Sequence, residues 1–330
     1  MTPLSEPYGR VVVVGGAGFI GGHLVERLLR STTTRRVVVY DNFTSGRDWH
    51  LDGVASDPRL EVIRADVSEQ DQLEAAMSGC DTAIHLASNP DIARAMADPT
   101  VDFAQGTALT HAVAEAARRS GIALVLYASG SGVYGDLGEL EADERHGPLE
   151  PVSTYGASKL AGEALLCAYS HMFGMRARAF RFGNVVGPRQ THGVAFDFIR
   201  KLLENPARLE ILGDGTQSKS YIHVDDVADA VLSVGTLGDH AFDVFNVATG
   251  DYLTVNEIAE LTIDCLGLDR GAVELVRSGG SRGWQGDVPI VRLSTEKIRR
   301  LGWSNRYGSR EALAAAITSM YTDARAGRLW

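Results

Sequence analysis

Cysteine is scarce in this chain. Cys80, Cys167 and Cys265 lie far apart along 330 residues, which excludes a disulfide framework and leaves no pair at metal-ligand spacing. No two of the nine histidines fall within five residues of each other. A helical zinc site is therefore excluded and no metal is expected. Positive charge is also short: 32 Lys and Arg stand against 42 Asp and Glu, a formal charge of −10. With no Lys/Arg-rich stripe, a nucleic-acid partner is not expected, although a few local cations can still hold a small anion. No apolar run approaches membrane-spanning length. The first residues, MTPLSEPYGR, lack the apolar core of a signal peptide. Neither a membrane partner nor secretion is expected, and a reduced cytoplasmic compartment is the default. Internal repeats, low-complexity segments and obvious linkers are absent too.

Hydrophobic residues make up 45% of the chain, enough for one large α/β domain or two ordinary ones. RVVVVGG is a continuous β-branched run ending in glycine, the mark of a strand buried on both faces. HLVERLLRS follows with helical spacing. RRVVVYDN, LEVIRADV, DTAIHLAS and IALVLYAS repeat the strand pattern, with helical stretches such as EQDQLEAAM and LTHAVAEAARRSG between them. This alternation predicts right-handed crossovers and a parallel sheet. ARAFRFGNVVG reads as a sixth strand and VAFDFIRKLLEN as a helix. SYIHVDDVADAVLSVG reads as a strand and a helix that Asp225 or Asp226 caps. The expected architecture is α/β: a Rossmann-type doubly wound parallel sheet with a smaller, interleaved C-terminal α/β substrate lobe. Residues 1–183 form the first domain, with 221–249 returning to it. Residues 184–220 and 250–330 form most of the lobe.

The first turn, VVVVGGAGFIGGHL, places Gly15, Gly18 and Gly21 in G-x-x-G-x-x-G. One glycine allows the tight turn, one lets backbone N–H groups approach a pyrophosphate, and one permits close helix packing. The helix dipole then faces the phosphates. Asp41 lies twenty residues beyond Gly21, at the end of the second strand, where a carboxylate takes the ribose hydroxyls of NAD and repels a 2′-phosphate. Asp66 either faces the adenine or caps the next helix.

PVSTYGASKLAGEALL carries Tyr155 and Lys159 at i and i+4 on one face of a helix that Ser153 or Thr154 caps. A phenol titrates near ~10. A neighbouring ammonium and a nicotinamide cation both favour the phenolate, giving an acid/base for work near neutral pH.

The order of these features resembles the extended short-chain dehydrogenase/reductase family. DNFTSG, HLAS, VYG, RFGNVVGPR and GDGTQSKSYIHVDDVADA are similar to its NAD-dependent NDP-sugar epimerase/dehydratase branch, over Arg10 to about Met320. HGVAFDFIRKL and RGWQGDV are closest to UDP-glucose (UDP-galactose) 4-epimerases. The resemblance implies an isomerase. Tyr155 takes a proton from a sugar hydroxyl while the same carbon is oxidised by bound NAD. The 4-keto sugar turns over and is reduced on its other face, while Lys159 holds the nicotinamide ribose. It also implies a cofactor site including Phe19, Ile20, Asn42, Val67, Leu86 and Ala87, and a homodimer paired through LTHAVAEAARRS and GASKLAGEALLCAYSHMFG. His85 is expected to end a strand near the cofactor without a catalytic role. Asn89, Asp91 and Arg94 fall in the loop after it.

On the substrate side the resemblance points to Asn184 for the sugar or diphosphate, and to Val194 and Phe198 near the uridine. Lys219, where many relatives have arginine, and Arg282 are phosphate candidates, and Asp287 is a ribose candidate. Plainer readings stay open: a turn for Asn184, the core for Phe198, solvent for Lys219, a helix cap for Asp287.

Two positions depart from the family pattern. Counting back four from Tyr134 places Gly130 where relatives carry a serine or threonine hydroxyl. Gly106 stands where they carry an asparagine. Ser131 or water is the expected substitute for the lost hydroxyl, and Tyr155 is expected to carry the acid/base role essentially alone. Dehydratases of this family have an Asp-Glu pair where this chain has Ser131 and Gly132, which disfavours dehydration. Action on a UDP-uronic acid, by epimerisation or decarboxylation, and a non-catalytic NAD-binding sensor remain as alternatives.

Overall fold

The computed structural model describes residues 8–89 and 95–328. Elements are numbered along the chain. Contacts divide the described residues into two compact units. The first draws on Met1–Val133, Thr154–Arg181 and Ala228–Phe245, and the second on Tyr134–Ser153, Phe182–Val227 and Asn246–Trp330.

A seven-stranded sheet runs through the first unit. Its strands are β1 (Arg10–Val14), β2 (Arg36–Asp41), β3 (Leu60–Arg64), β4 (Thr82–His85), β5 (Leu124–Gly130), β7 (Arg176–Phe182) and β12 (Phe242–Val247). The order across the sheet is β12-β7-β5-β4-β1-β2-β3, and β3, β2, β1, β4 and β5 pair in parallel. Val11 to Val14 are fully buried, as a strand covered on both faces requires. Helices α1 (Phe19–Arg30), α2 (Gln70–Met77), α4 (Leu109–Arg119) and α5 (Thr154–Phe173) make the crossovers. A short α3 (Thr100–Asp102) runs through a π-helical turn, Phe103–Ala108, into α4. The chain winds outward from β1 in one direction through β2 and β3, and in the other through β4 and β5. Loops after β1 and β4 therefore flank the switch point where such sheets bind ligands.

The second unit has short two-stranded ribbons: β8 (Asn184–Val186) with β11 (Tyr221–His223), β9 (Arg208–Ile211) with β14 (Glu274–Arg277), β10 (Ser218–Lys219) with β13 (Leu253–Thr254), and β6 (Glu141–Ala142) with β15 (Arg292–Leu293). Helices α6 (Val194–Glu204), α8 (Val255–Cys265) and α10 (Ser309–Arg325) enclose its core, where Ile199, Leu202, Ile258, Leu313 and Ile317 are buried. Thr254 and Glu257 close a capping box at the start of α8. Helices α7 (Val224–Val234) and α9 (Glu296–Arg300) complete the chain.

Three local expectations change. ARAFRFGNVVG is two strands: at Gly183 the backbone N–H bonds Val247, and at Asn184 it bonds Ser220, so the chain leaves the large sheet between them. Asp225 and Asp226 lie inside the first turn of α7 rather than at its cap. The Asp226 carboxylate instead accepts the backbone N–H groups of Arg306 and Tyr307. Residues 134–153 cluster with the second unit, where the Tyr134 hydroxyl donates to Asp143 and Asn246.

Candidate active site

The first-unit site begins at the turn after β1. Gly15 has φ +82°, and a Cβ there would lie 2.7 Å from the Ala87 backbone nitrogen. The glycine thus lets the β1 and β4 loops touch, with the N–H groups of Leu86 and Ala87 both donating to Val14. A Cβ at Gly21 would collide with the Gly15 carbonyl, so this glycine seats α1 against the turn. Gly18 is the N-cap of α1 and provides no side-chain cap. A helix start of this kind suits an anion at the N–H groups of its first residues, Phe19, Ile20 and Gly21, while the Gly22 N–H already donates to the Gly18 carbonyl.

Asp41 is buried, and its carboxylate accepts N–H groups from Ala17 at 2.9 Å and Phe43 at 2.7 Å. Burial outweighs these bonds and raises its pKa. Asn42 donates to Asp66 at 2.7 Å. Asp66 also accepts from the hydroxyl and N–H of Ser68, and these bonds hold it below the usual carboxylate range. Val67 is buried beside it. A side-chain-free helix start, a buried carboxylate at the end of β2 and glycine contacts that any Cβ would fill together fit a dinucleotide.

The acid/base pair stands on α5. Thr154 is its first residue, and its hydroxyl donates to Asp102 at 2.7 Å. Lys159 is buried, donates to the Ala128 carbonyl at 2.8 Å and lies 5.5 Å from the Tyr155 ring centre. Burial pushes its ammonium down to about 8, against the opposing charges of Asp102 and Glu163. Tyr155 differs from the expectation. Burial raises its phenol to about 12; the Ser88 side chain lowers it, and the Asp102 charge raises it further. In the protein alone, desolvation is the largest influence on the phenol.

The serines around Gly130 have separate fates. The Ser129 hydroxyl donates to Glu163 at 2.6 Å, and Arg181 clamps the same carboxylate at 2.9 and 2.7 Å. A Cβ at Gly130 would meet nothing within 4 Å. Ser131 opens a 3-10 turn, Ser131–Tyr134, and makes no hydrogen bond among the described residues. At Gly106 a Cβ would lie 2.5 Å from the Ser158 hydroxyl, so Ser158 occupies the room an asparagine would need. His85 is fully buried, bonds Thr110 at 3.0 Å and is pushed down to about 3 by burial and the Lys159 charge. It is a neutral core group. Ser88 and Asp102 both act on the Tyr155 phenol, and Asn89 donates to Asp102 at 3.0 Å. Asp91 and Arg94 lie outside the described residues.

In the second unit, three predicted substrate residues come together. Lys219 pairs with Asp287 at 2.6 Å. Arg282 bonds the Asp287 carbonyl and pairs with Asp136 at 2.6 Å. Asn184 is exposed at the start of β8, and Val194 opens α6 half-buried. Phe198 is 2% exposed and packs in the hydrophobic core, the plainer reading left open for it, on a helix that packs against α8 and α10. Sequence reasoning missed Ser88, Asp102 and Asp136. Only the position of Ser88 directly after HLA and the placement of Asp102 four residues before Gly106 hinted at two of them. Among the described residues no cluster of His, Cys, Asp and Glu could hold a metal, and no helix is long and apolar enough to cross a membrane.

The model of the NAD-dependent epimerase/dehydratase family matches residues 11–248. The chain belongs to this family. Its cofactor is NAD. The chain is similar to a crystal structure of a UDP-galactose 4-epimerase, 36% identical with a TM-score of 0.84, over 97% of this chain and 100% of that one. A Thermus thermophilus UDP-glucose 4-epimerase solved with NAD is 30% identical with a TM-score of 0.82, over 94% and 98%. A dTDP-glucose 4,6-dehydratase of Streptomyces griseus is 32% identical over 93% of this chain and 92% of its own length. Family members similar to this chain thus include both epimerases and dehydratases.

Proposed function

We propose that the chain epimerises a UDP-sugar at C4 through a 4-keto intermediate. The observation that carries this reading is the pairing of Tyr155 and Lys159 with Ser131 and Gly132 at the two positions after Gly130. Tyr155 can exchange a proton with a sugar hydroxyl, whereas neither Ser131 nor Gly132 offers the carboxyl groups that drive loss of water. Gly15, Gly18 and Gly21, with Asp41, would hold NAD, which when bound supplies the oxidising and reducing equivalent at C4. Tyr155 takes the C4 hydroxyl proton and gives it back after the sugar has turned. Lys159, one turn along α5, orients the ribose and adds positive charge beside the phenol. Lys219 and Arg282 would neutralise the diphosphate, and Asn184 and Asp287 would meet the sugar and the nucleotide ribose. Lys219 acts as a point charge where an arginine would give a fork. Val194 is a candidate for the uridine side. Two further expectations are part of the proposal. The first is a homodimer through α4 and α5, where Met172 and Phe173 are 71% and 48% exposed. The second is residence in the reducing cytoplasm, in keeping with three free cysteines.

Incubation with UDP-glucose, UDP-galactose and the corresponding uronic acids, followed by separation of the products, tests the reading. The expected result is an equilibrium pair of C4 epimers without net reduction of NAD, slowed by about 10²–10⁴-fold in Tyr155→Phe. Unchanged sugars across the panel would count against it and favour a cofactor-binding sensor. Near-normal turnover by Tyr155→Phe would reject the assignment of the base.

A further inference from the structure

Lys159 and Glu163 stand one turn apart on α5 and meet successive residues of β5. The Lys159 ammonium donates to the Ala128 carbonyl at 2.8 Å, and the Glu163 carboxylate accepts the Ser129 hydroxyl at 2.6 Å. Tyr127 and Ser129 are two residues apart, so their side chains leave the same face of the strand. Tyr127 is met by Gly162, where a Cβ would lie 2.4 Å from the phenol oxygen. Three consecutive residues of β5 are thus matched by Gly162, Lys159 and Glu163 on α5. The anchor comes from β7, the neighbour of β5 in the sheet. Arg181 donates to both oxygens of Glu163, at 2.9 and 2.7 Å, the forked geometry that fixes a carboxylate in place. Ser129, Lys159, Glu163 and Arg181 are all buried, so water does not compete for these bonds. The bond to Ala128 is the one hydrogen bond that the Lys159 ammonium makes among the described residues, so the place of that carbonyl decides where the charge sits.

We propose that Ser129, Glu163 and Arg181 form a register clamp for the acid/base helix, fixing the end of β5 against α5 so that the Ala128 carbonyl lies in line with the Lys159 ammonium. Ser129 and Glu163 are positioning residues and act through that carbonyl. The Ser129 hydroxyl gives its proton to the clamp, and Gly130 is the first residue beyond it. An ammonium has three donors. Holding one on Ala128 aims the other two at a ligand without the mobility of a free lysine side chain.

The consequence for NAD rests on the reading of Lys159 as the residue that meets the cofactor ribose, whereas the geometry does not, so the test has two arms. The lysines of the chain are Lys159, Lys201, Lys219 and Lys297, few enough for each ¹³Cε resonance of labelled lysine to be followed, with Lys159→Arg identifying the one of interest. In Ser129→Ala the charged and titratable groups around the ammonium, Asp102, Glu163, Tyr155 and His85, with Arg181 behind Glu163, all remain. The Lys159 midpoint, about 8 in the parent, should nevertheless fall by roughly 0.5–1 pH unit, because the charged form loses a well-placed acceptor. Glu163→Asp, which keeps the charge and shortens the reach, should move it the same way. In the second arm, the Kd for NAD should rise about two- to tenfold in Ser129→Ala, the span of one hydrogen bond. A lower melting temperature with an unmoved midpoint in both variants would mean that the cluster only packs, and would overturn the proposal. A moved midpoint with unchanged NAD affinity would support the clamp and reject the ribose role of Lys159 instead.

Discussion

Tyr155, Lys159 and Asp102 form one electrostatic set. The Asp102 charge raises the pKa of both the phenol and the ammonium. In Asp102→Asn both groups should titrate lower, so the phenolate-dependent limb of the rate profile should move towards acid. A limb that stays in place or moves towards higher pH would contradict this. His85 makes a separate prediction. The folded protein holds it near 3, whereas its ordinary value is 6.5. Above 6.5 the histidine is neutral in both states. As pH falls below 6.5 the unfolded chain takes up a proton that the folded chain refuses, so stability is lost towards the folded value. The slope is about 1.4 kcal/mol per pH unit for one proton. Denaturant titrations at several pH values should show a shallower acid slope in His85→Gln. An unchanged slope would mean that other groups set the acid limit.

At the scale of elements, two glycines contrast. Gly106 faces Ser158 at the junction of the π-helical turn with α5, and Gly130 faces open space at the end of β5. Gly106→Asn should therefore cost about 1–3 kcal/mol from overpacking, while Gly130→Ser should stay within ~0.5 kcal/mol of the parent. Thermal unfolding of both variants checks this, and equal losses would contradict it. The strands were legible in the sequence because β1, β2, β4 and β5 are continuous apolar runs buried on both faces, and the turn after β1 carries its glycines in order. The α5 pair was legible because helical spacing alone places Lys159 one turn after Tyr155. What could not be read depends on contacts distant in sequence. Gly183 divides one apparent strand because its partners lie more than thirty residues away. Asn89 and Thr154 meet on Asp102 from 13 and 52 positions away, and no local pattern encodes that approach.

For the whole molecule, the sheet and its glycine turn account for NAD, and the acid/base pair accounts for proton transfer. The choice between epimerisation and loss of water turns on what the chain lacks after Gly130. The most direct measurement follows the hydrogen at C4. UDP-glucose carrying deuterium at C4 is incubated with the NAD-loaded protein, and the products are separated and analysed by mass and NMR. The account predicts UDP-galactose of unchanged mass with deuterium still on C4. A product lighter by one water, or deuterium found at C6, would contradict it.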